Sequence, residues 1–379
     1  MGAWERVSAP VPDWDRMEAA GFELERRIKL WKEEEAESLA FPRGERLREG
    51  RSEREERGFW LEGVSFIRGK RAICGPNGVI MENVLRRQFL MSAGVSSLAP
   101  AQAGRKRLIV HADDAGMCHS ANVATWEAME KGLVSSASVM LPCPWVQEFC
   151  QWARNHPQYD LGVHLTLTSE WRHFRWRPVA SIDRVKGLID GEGYMWRDVR
   201  SSASSATAGE VEVELRAQIE RARLYGMVFS HLDSHMGTVF ARPDYFEVYT
   251  KLAKEYGVPC MLPRPTPVAQ AELKGYPITM EMLAAKQAAG FRMLDRLVTG
   301  VAGRNYAERR VSYRKLIETL EPGVTKLIIH LAKDDAEIRA ISNSWEYRWA
   351  DYQFWTSAEA KELLEQHQVE LFTYRALAA

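Results

Sequence analysis

Asp113 and Asp114 stand side by side in Arg107-Leu-Ile-Val-His-Ala-Asp-Asp-Ala-Gly116. Two adjacent carboxylates repel unless a cation or a shared proton intervenes. The residues that could bring a cation lie downstream. Leu161-Gly-Val-His-Leu-Thr-Leu-Thr168 carries His164, and Ser230-His-Leu-Asp-Ser-His235 carries His231, Asp233 and His235. Arg264 follows a further apolar run, and Lys326-Leu-Ile-Ile-His330 ends in His330. Five of the nine histidines (His111, His164, His231, His235, His330) lie inside or just after apolar runs, where an unpaired polar group is costly. One carboxylate with imidazoles from several strand ends makes a plausible divalent-metal site with room left for water and substrate.

Each residue also has a plainer role open to it. His164 can be a satisfied core histidine, and His330 can simply pack. His231 and His235, four apart, would share a helix face, although period two on a strand also aligns residues 231, 233 and 235. The Asp pair could cap the helix that follows, but Gly116 and Met117 intervene. Arg264, between Pro263 and Pro265, can be a surface loop charge. The joint occurrence of these residues at successive strand ends favours a site.

The elements that must position them alternate. Strands are expected at Leu108–His111, Ala137–Leu141, Leu161–Leu167, Val228–Leu232, Pro259–Leu262, Lys326–Leu331 and Val369–Tyr374. Helices are expected at Ser120–Lys131, Pro144–Asn155, Gly209–Tyr225, Pro243–Tyr256, Ser312–Leu320 and Ser357–His367. Ser357 precedes an acidic turn and Pro243 sits in a first turn, both fitting helix starts. Such alternation predicts a parallel α/β sheet with crossover helices. Seven repeats fit a closed or nearly closed (β/α) barrel better than an open doubly wound sheet. Strand C-terminal ends, where the candidate residues fall, are where either fold places its site. Residues 265–311 break the rhythm and are expected as a helical insertion over the barrel mouth. Residues 169–208 are expected as a long loop.

Upstream the chain changes character. Residues 1–80 are dense in Glu and Arg, as in Glu33-Glu-Glu-Ala-Glu37 and Arg51-Ser-Glu-Arg-Glu-Glu-Arg57, and hold no catalytic constellation. In residues 81–103, Arg86-Arg87 is followed by a mildly apolar, small-residue segment ending in Ala101-Gln-Ala103. This resembles a twin-arginine export signal with its cleavage site. Such signals are N-terminal, so Met81 is expected to be the true start and residues 1–80 an upstream start or disordered extension. The domain would then be 104–379, exported to the periplasm through the twin-arginine machinery. An intact 1–80 would bury the signal and leave the protein cytoplasmic, and a basic linker is the other reading of 81–103.

Lys+Arg and Asp+Glu each number 51, giving no charge basis for broad nucleic-acid binding. No apolar run is long enough to span a membrane. The five cysteines show no zinc-finger spacing, and a Cys143–Cys150 disulfide cannot be argued from sequence. Trp171, Trp176, Trp196, Trp345, Trp349 and Trp355 sit among charges, which suits sugar stacking and ordinary packing alike.

His-Ala-Asp-Asp-Ala-Gly (111–116), Gly-Val-His-Leu-Thr-Leu-Thr (162–168) and His-Leu-Asp-Ser-His (231–235), in that order, resemble the motifs of the YdjC-like carbohydrate deacetylases, the ChbG/HpnK group. The similarity covers about 105–375. It implies a distorted (β/α) barrel and a metal-dependent hydrolase that removes acetyl groups from N-acetylated sugars. Carried over by position, it implies that Asp114, His164 and His235 ligate the metal and that Asp113 is the general base. By analogy with related deacetylases, His330 is the candidate acid for the leaving amine. Arg264 is the candidate substrate contact. The family implies Mg2+, whereas two histidines and one carboxylate suit Zn2+ by ligand type. The chain departs from the family pattern at His111 (usually Asn), Ala115 (Phe), Met236-Gly237 (further histidines) and Leu331 (Pro). These departures bear on the substrate more than on the hydrolysis. The expected partner is a small carbohydrate. The alternatives are a hydrolase of another amide or ester on the same scaffold, and a non-catalytic carbohydrate- or metal-binding protein.

Overall fold

The computed structural model describes residues 104–378. The charged extension at 1–80 and the twin-arginine-like segment at 81–103 lie outside the described residues. All strand pairings among the described residues are parallel. The strands are β1 (Lys106–Ala115), β2 (Ser136–Val139), β3 (Leu161–Leu165), β4 (His231–Ser234), β5 (Arg296–Val298), β6 (Gly323–His330) and β7 (Val369–Leu371). The order is β4-β3-β2-β1-β6-β5.

β1 is the centre of the sheet because both its edges are taken. One edge pairs with β6 from Lys106↔Gly323 to Asp113↔His330. The other meets β7 at Lys106–Leu108 and β2 from His111 onward. With both faces covered as well, Leu108, Ile109 and Val110 are fully buried. A continuous apolar run is what such a strand requires. Beyond the ends of the sheet, single bridges join Leu232 to Cys260 and Pro263 to Leu294. Residues 259–264 thus span the gap between β4 and the approach to β5. The result is a curled parallel half-barrel, agreeing with the parallel α/β sheet expected from the alternation and with the distorted barrel that the resemblance implies.

Helices cover the outside. In chain order they are α1 (His119–Lys131), α2 (Val146–Asn155), α3 (Val199–Ser205), α4 (Ala208–Leu224), α5 (Pro243–Tyr256) and α6 (Pro267–Glu272). They continue with α7 (Met280–Ala288), α8 (Tyr306–Glu318), α9 (Ala336–Ile341), α10 (Trp345–Trp355), α11 (Ala358–Gln366) and α12 (Tyr374–Ala378). Local chemistry sets several ends. Thr207 and Glu210 form a capping box at the start of α4. Pro243 opens α5, and Gly257, at φ 68°, closes it in the left-handed conformation. Ser357 accepts the Ala360 N–H at the start of α11.

Four expectations need correction. The segment 259–262 forms isolated bridges rather than a strand, since Pro259 and Pro263 bring no N–H to a ladder. The region 265–311 is not wholly helical, because it holds β5 beside α6 and α7. Three residues are too few to show a period. Helices α9 and α10 lie in 332–356, where the apolar pattern predicts no element. Of the long loop expected at 169–208, only 169–198 is loop, with two short 3-10 turns at Ile182–Arg184 and Lys186–Leu188; α3 and the start of α4 occupy the rest. This loop is tied down by Glu214 on α4, whose carboxylate accepts the Val179 and Ala180 N–H groups. Cys118, Cys143, Cys150 and Cys260 are buried thiols without disulfides. Trp176 and Trp355 are buried in the core and offer no face to a sugar.

Candidate metal and catalytic centre

The end of β1 is irregular where the acids sit. Between Ala112 and Ala115 the register slips against β2, with three steps on β1 against two on β2. That is a β-bulge, a device that re-aims side chains at a strand end. Asp114 carries the irregularity in a left-handed backbone conformation, φ 68°. Asp tolerates that region better than most residues. Gly116 follows at φ 87°, where a Cβ would crowd the Met140 carbonyl at 3.2 Å. A second left-handed pair, Met236 and Gly237, follows His235. A Cβ on Gly237 would lie 2.6 Å from the Tyr276 hydroxyl. Unusual backbone thus gathers at the two strand ends that deliver Asp114 and His235.

Asp114, His164 and His235 converge. Asp114 Oδ1 lies 3.2 Å from His235 Nδ1 and 3.5 Å from His164 Nε2, and the two imidazole nitrogens are 3.3 Å apart. All three side chains are buried. Asp114 Oδ1 accepts no hydrogen bond, an anomaly for a buried carboxylate oxygen. The residues fit a small divalent ion. Adjacent ligands with bonds of about 2.0–2.2 Å at roughly 100° stand about 3.2 Å apart, close to the separations found.

Groups behind the triad fix each ligand. His235 turns Nε2 to Glu170, 3.1 Å from both oxygens, which leaves Nδ1 facing Asp114. His164 turns Nδ1 to Ser138 Oγ at 3.0 Å, which leaves Nε2 facing inward. Carboxylate or hydroxyl partners of this kind set the tautomer of a ligating histidine. Arg348 Nη2 donates to Asp114 Oδ2 at 2.7 Å, so that only Oδ1 is presented.

The electrostatics describe a place built for positive charge. Burial pushes the Asp114 carboxyl up, but Arg348, His164 and His235 together hold it well below the usual range. Burial opposes protonation of His164, yet Asp113, Asp114 and Asp233 raise it to about 9. For His235 burial is likewise outweighed, by Glu170 and Asp114, which raise it to about 10. Without an ion, protons on these imidazoles supply the missing charge.

The other sequence-derived candidates fall as follows. Asp113 is beside the triad, its Oδ2 3.7 Å from His164 Nε2. Its Oδ1 is buried, accepts no hydrogen bond, and lies 3.2 Å from His111 Nε2. His330, paired in register with Asp113, reaches Asp114 from another side, with Nε2 3.9 Å from Asp114 Oδ2. Its backbone N–H is held by Asp351, which is itself gripped by Arg309 and Tyr313. Arg264 is not brought to the triad: it lies on the segment spanning β4 and β5, half-exposed and bound to Asp295 at 2.6 Å. His231 stacks on Tyr374, centroids 3.9 Å apart, and takes no part in the triad.

Sequence reasoning missed Arg348, Glu170 and Ser138. Arg348 lies on α10, far in sequence from any strand-end motif. Glu170 lies five residues past the end of β3, just beyond the Leu161–Thr168 run, so its place after a strand end was a usable signal.

A family model described as YdjC-like protein matches residues 107–366. A carbohydrate deacetylase of Thermus thermophilus is 34% identical over 276 residues, covering 72% of this chain and 94% of the relative. One from Brevibacillus brevis is 29% identical over 274 residues, covering 72% and 99%. Among solved structures, a putative cellobiose-phosphate cleavage protein from Enterococcus faecalis matches with a TM-score of 0.62 at 24% identity. That match covers 73% of this chain and 100% of the other, and it supports the fold. With two thirds of its length matched by the family model and a relative above 30% identity, the chain belongs to the YdjC-like protein family.

Proposed function

We propose that this protein is a metal-dependent deacetylase of N-acetylated sugars or oligosaccharides. The observation that carries the reading is the orphaned Asp114 Oδ1 facing two imidazole nitrogens, with a second orphaned carboxylate oxygen on Asp113 beside it. The two sequence relatives, both carbohydrate deacetylases, supply the substrate class. Asp114, His164 and His235 would hold the ion. When bound, the ion contributes Lewis acidity, acidifying water and polarising an acyl carbonyl.

The remaining work falls to the chain. Asp113 Oδ2, the oxygen turned toward His164 and the triad, takes a proton from the attacking water as the C–O bond forms. Neutralisation of Asp114 by its own partners lets Asp113 remain the acceptor. His330 gives a proton to the amine nitrogen as the C–N bond breaks. The products are acetate and a free amine. Trp171, against whose ring Arg348 packs at 5.6 Å, and Tyr347, edge-on to His330 at 6.2 Å, flank the centre and would line the sugar. Arg264 would meet only a substrate extending over the 259–264 segment. By donor type the ion is zinc, and by the family resemblance it is magnesium. We assign the domain to 104–379 and, with Met81 as the start, its location to the periplasm. N-terminal sequencing of the native protein tests that assignment.

The test of function is acetate release by the metal-loaded protein across N-acetylated oligosaccharides and simple esters. Release from the sugars supports the reading. Turnover of esters alone would transfer the site to another hydrolysis. Sugar binding at full metal occupancy with no release would make it a binding protein.

A further inference from the structure

A second buried charge cluster adjoins the triad without belonging to it. Asp233 on β4 and Lys326 on β6 are both fully buried, with Lys326 Nζ 2.6 Å from Asp233 Oδ2. His111 Nε2 lies 3.0 Å from that same oxygen, 3.1 Å from Ser138 Oγ and 3.2 Å from Asp113 Oδ1. On the other side of the ring, Nδ1 lies 2.9 Å from Ser136 Oγ. By donor type His111, Asp113 and Asp233 could hold a second ion. The ammonium of Lys326 argues against that. It already occupies Asp233 Oδ2, which Ser138 Oγ and His164 Nδ1 also face at 3.4 and 3.6 Å. A second divalent ion would enter beside a buried cation.

The cluster is therefore organised around a cation that the chain itself carries. A buried carboxylate is tolerated where a charge partner and further donors surround it. Lys326 and the Ser234 N–H, 2.7 Å from Asp233 Oδ1, fix the Asp233 carboxylate. Asp233 and the two serines in turn fix the His111 ring. Two carboxylate oxygens, of Asp233 at 3.0 Å and Asp113 at 3.2 Å, face Nε2, which places the ring proton there and leaves Nδ1 to accept from the Ser136 hydroxyl.

We propose that Lys326, Asp233 and His111 form a positioning relay for Asp113. Lys326 anchors Asp233, Asp233 orients His111, and the Nε2–H of His111 sets the rotamer and holds the charge of Asp113. His111 and Lys326 are positioning residues, since neither is placed at the reacting atoms. The catalytic consequence rests on the deacetylase reading; the arrangement itself does not.

Two measurements test it. In the full chain labelled with 15N-histidine, NMR should show His111 Nε2 protonated. An unprotonated Nε2 overturns the relay whatever the protein's activity. In kinetics, His111→Phe keeps a ring and loses the N–H, whereas His111→Gln keeps an N–H at the ε position. His111→Phe should lower kcat about 10–100-fold, with KM and bound metal unchanged. His111→Gln should recover most of kcat. Wild-type kcat in His111→Phe, or an equal fall in both variants, overturns the relay. A wild-type protein that releases no acetate from any N-acetylated sugar sinks the deacetylase reading instead, and the NMR result then decides the relay alone.

Discussion

Asn in place of Asp113 preserves shape and removes the proposed base. A positioned general base contributes about 10²- to 10⁴-fold. At about 1.36 kcal/mol per tenfold, that is roughly 3–5 kcal/mol of barrier. The structure says where the loss should and should not appear. Neither Asp113 oxygen belongs to the triad; the nearer approach to His164 Nε2 is 3.7 Å, against 3.5 Å for Asp114. Metal content should therefore stay at the wild-type level, and KM should change little. Asp113 Oδ1 and Asp233 Oδ2 both crowd His111 Nε2, at 3.2 and 3.0 Å. Asp113 is also the foremost charge holding the His164 imidazole protonated against its burial, so removing it should lower the melting temperature of the metal-free protein near neutral pH. The assay is acetate release alongside elemental analysis and thermal denaturation on the same preparation. Wild-type turnover in Asp113→Asn would remove Asp113 from the proton path. Loss of metal in that variant would make it a ligand and dissolve the division of labour between the two acids.

Asp114→Ala, His164→Ala and His235→Ala should each lose both bound metal and activity, read by elemental analysis and acetate release; a variant keeping the ion would fall outside the ligand set. Arg348→Met leaves the Asp114 carboxylate buried beside a lost partner, so the metal-free protein should lose about 3–5 kcal/mol of stability. Added metal should restore part of that loss, and an equal loss with and without metal would mean that Arg348 does not share Asp114 with the ion. The imidazoles give a pH prediction. Their folded values, about 9 for His164 and about 10 for His235, exceed the ordinary value of 6.5. Their contribution to the metal-free fold is complete below 6.5 and is lost as pH rises through 9 to 10. Metal must displace those protons, so affinity should rise with pH and ion uptake near neutrality should release protons. Uptake without proton release would contradict this.

Much of this was legible in the sequence, for identifiable reasons. β1 was readable because Leu108, Ile109 and Val110 are buried on both faces, and the pool of candidate residues because they punctuate apolar strands; the family resemblance singled out Asp114, His164 and His235 from that pool. The family resemblance then ordered Asp113 before Asp114 in function, a distinction their adjacency alone does not make. The bulge that separates them is a register event between β1 and β2. β5 escaped because three residues carry no period, and α10 because its aromatic residues are poor helix formers by propensity. With α10 went Arg348, whose guanidinium reaches Asp114 across 234 positions of sequence. Lys326 stood in plain view inside an apolar strand. Its partner Asp233 is 93 positions away, and only the curl of the sheet brings the two together.

The most direct measurement of the central claim is acetate release from an N-acetylated oligosaccharide before chelation, after it, and after return of a divalent ion. Release should disappear with the ion and recover with about one equivalent per chain, and should not recover in His235→Ala. Undiminished release from fully chelated protein would contradict that claim.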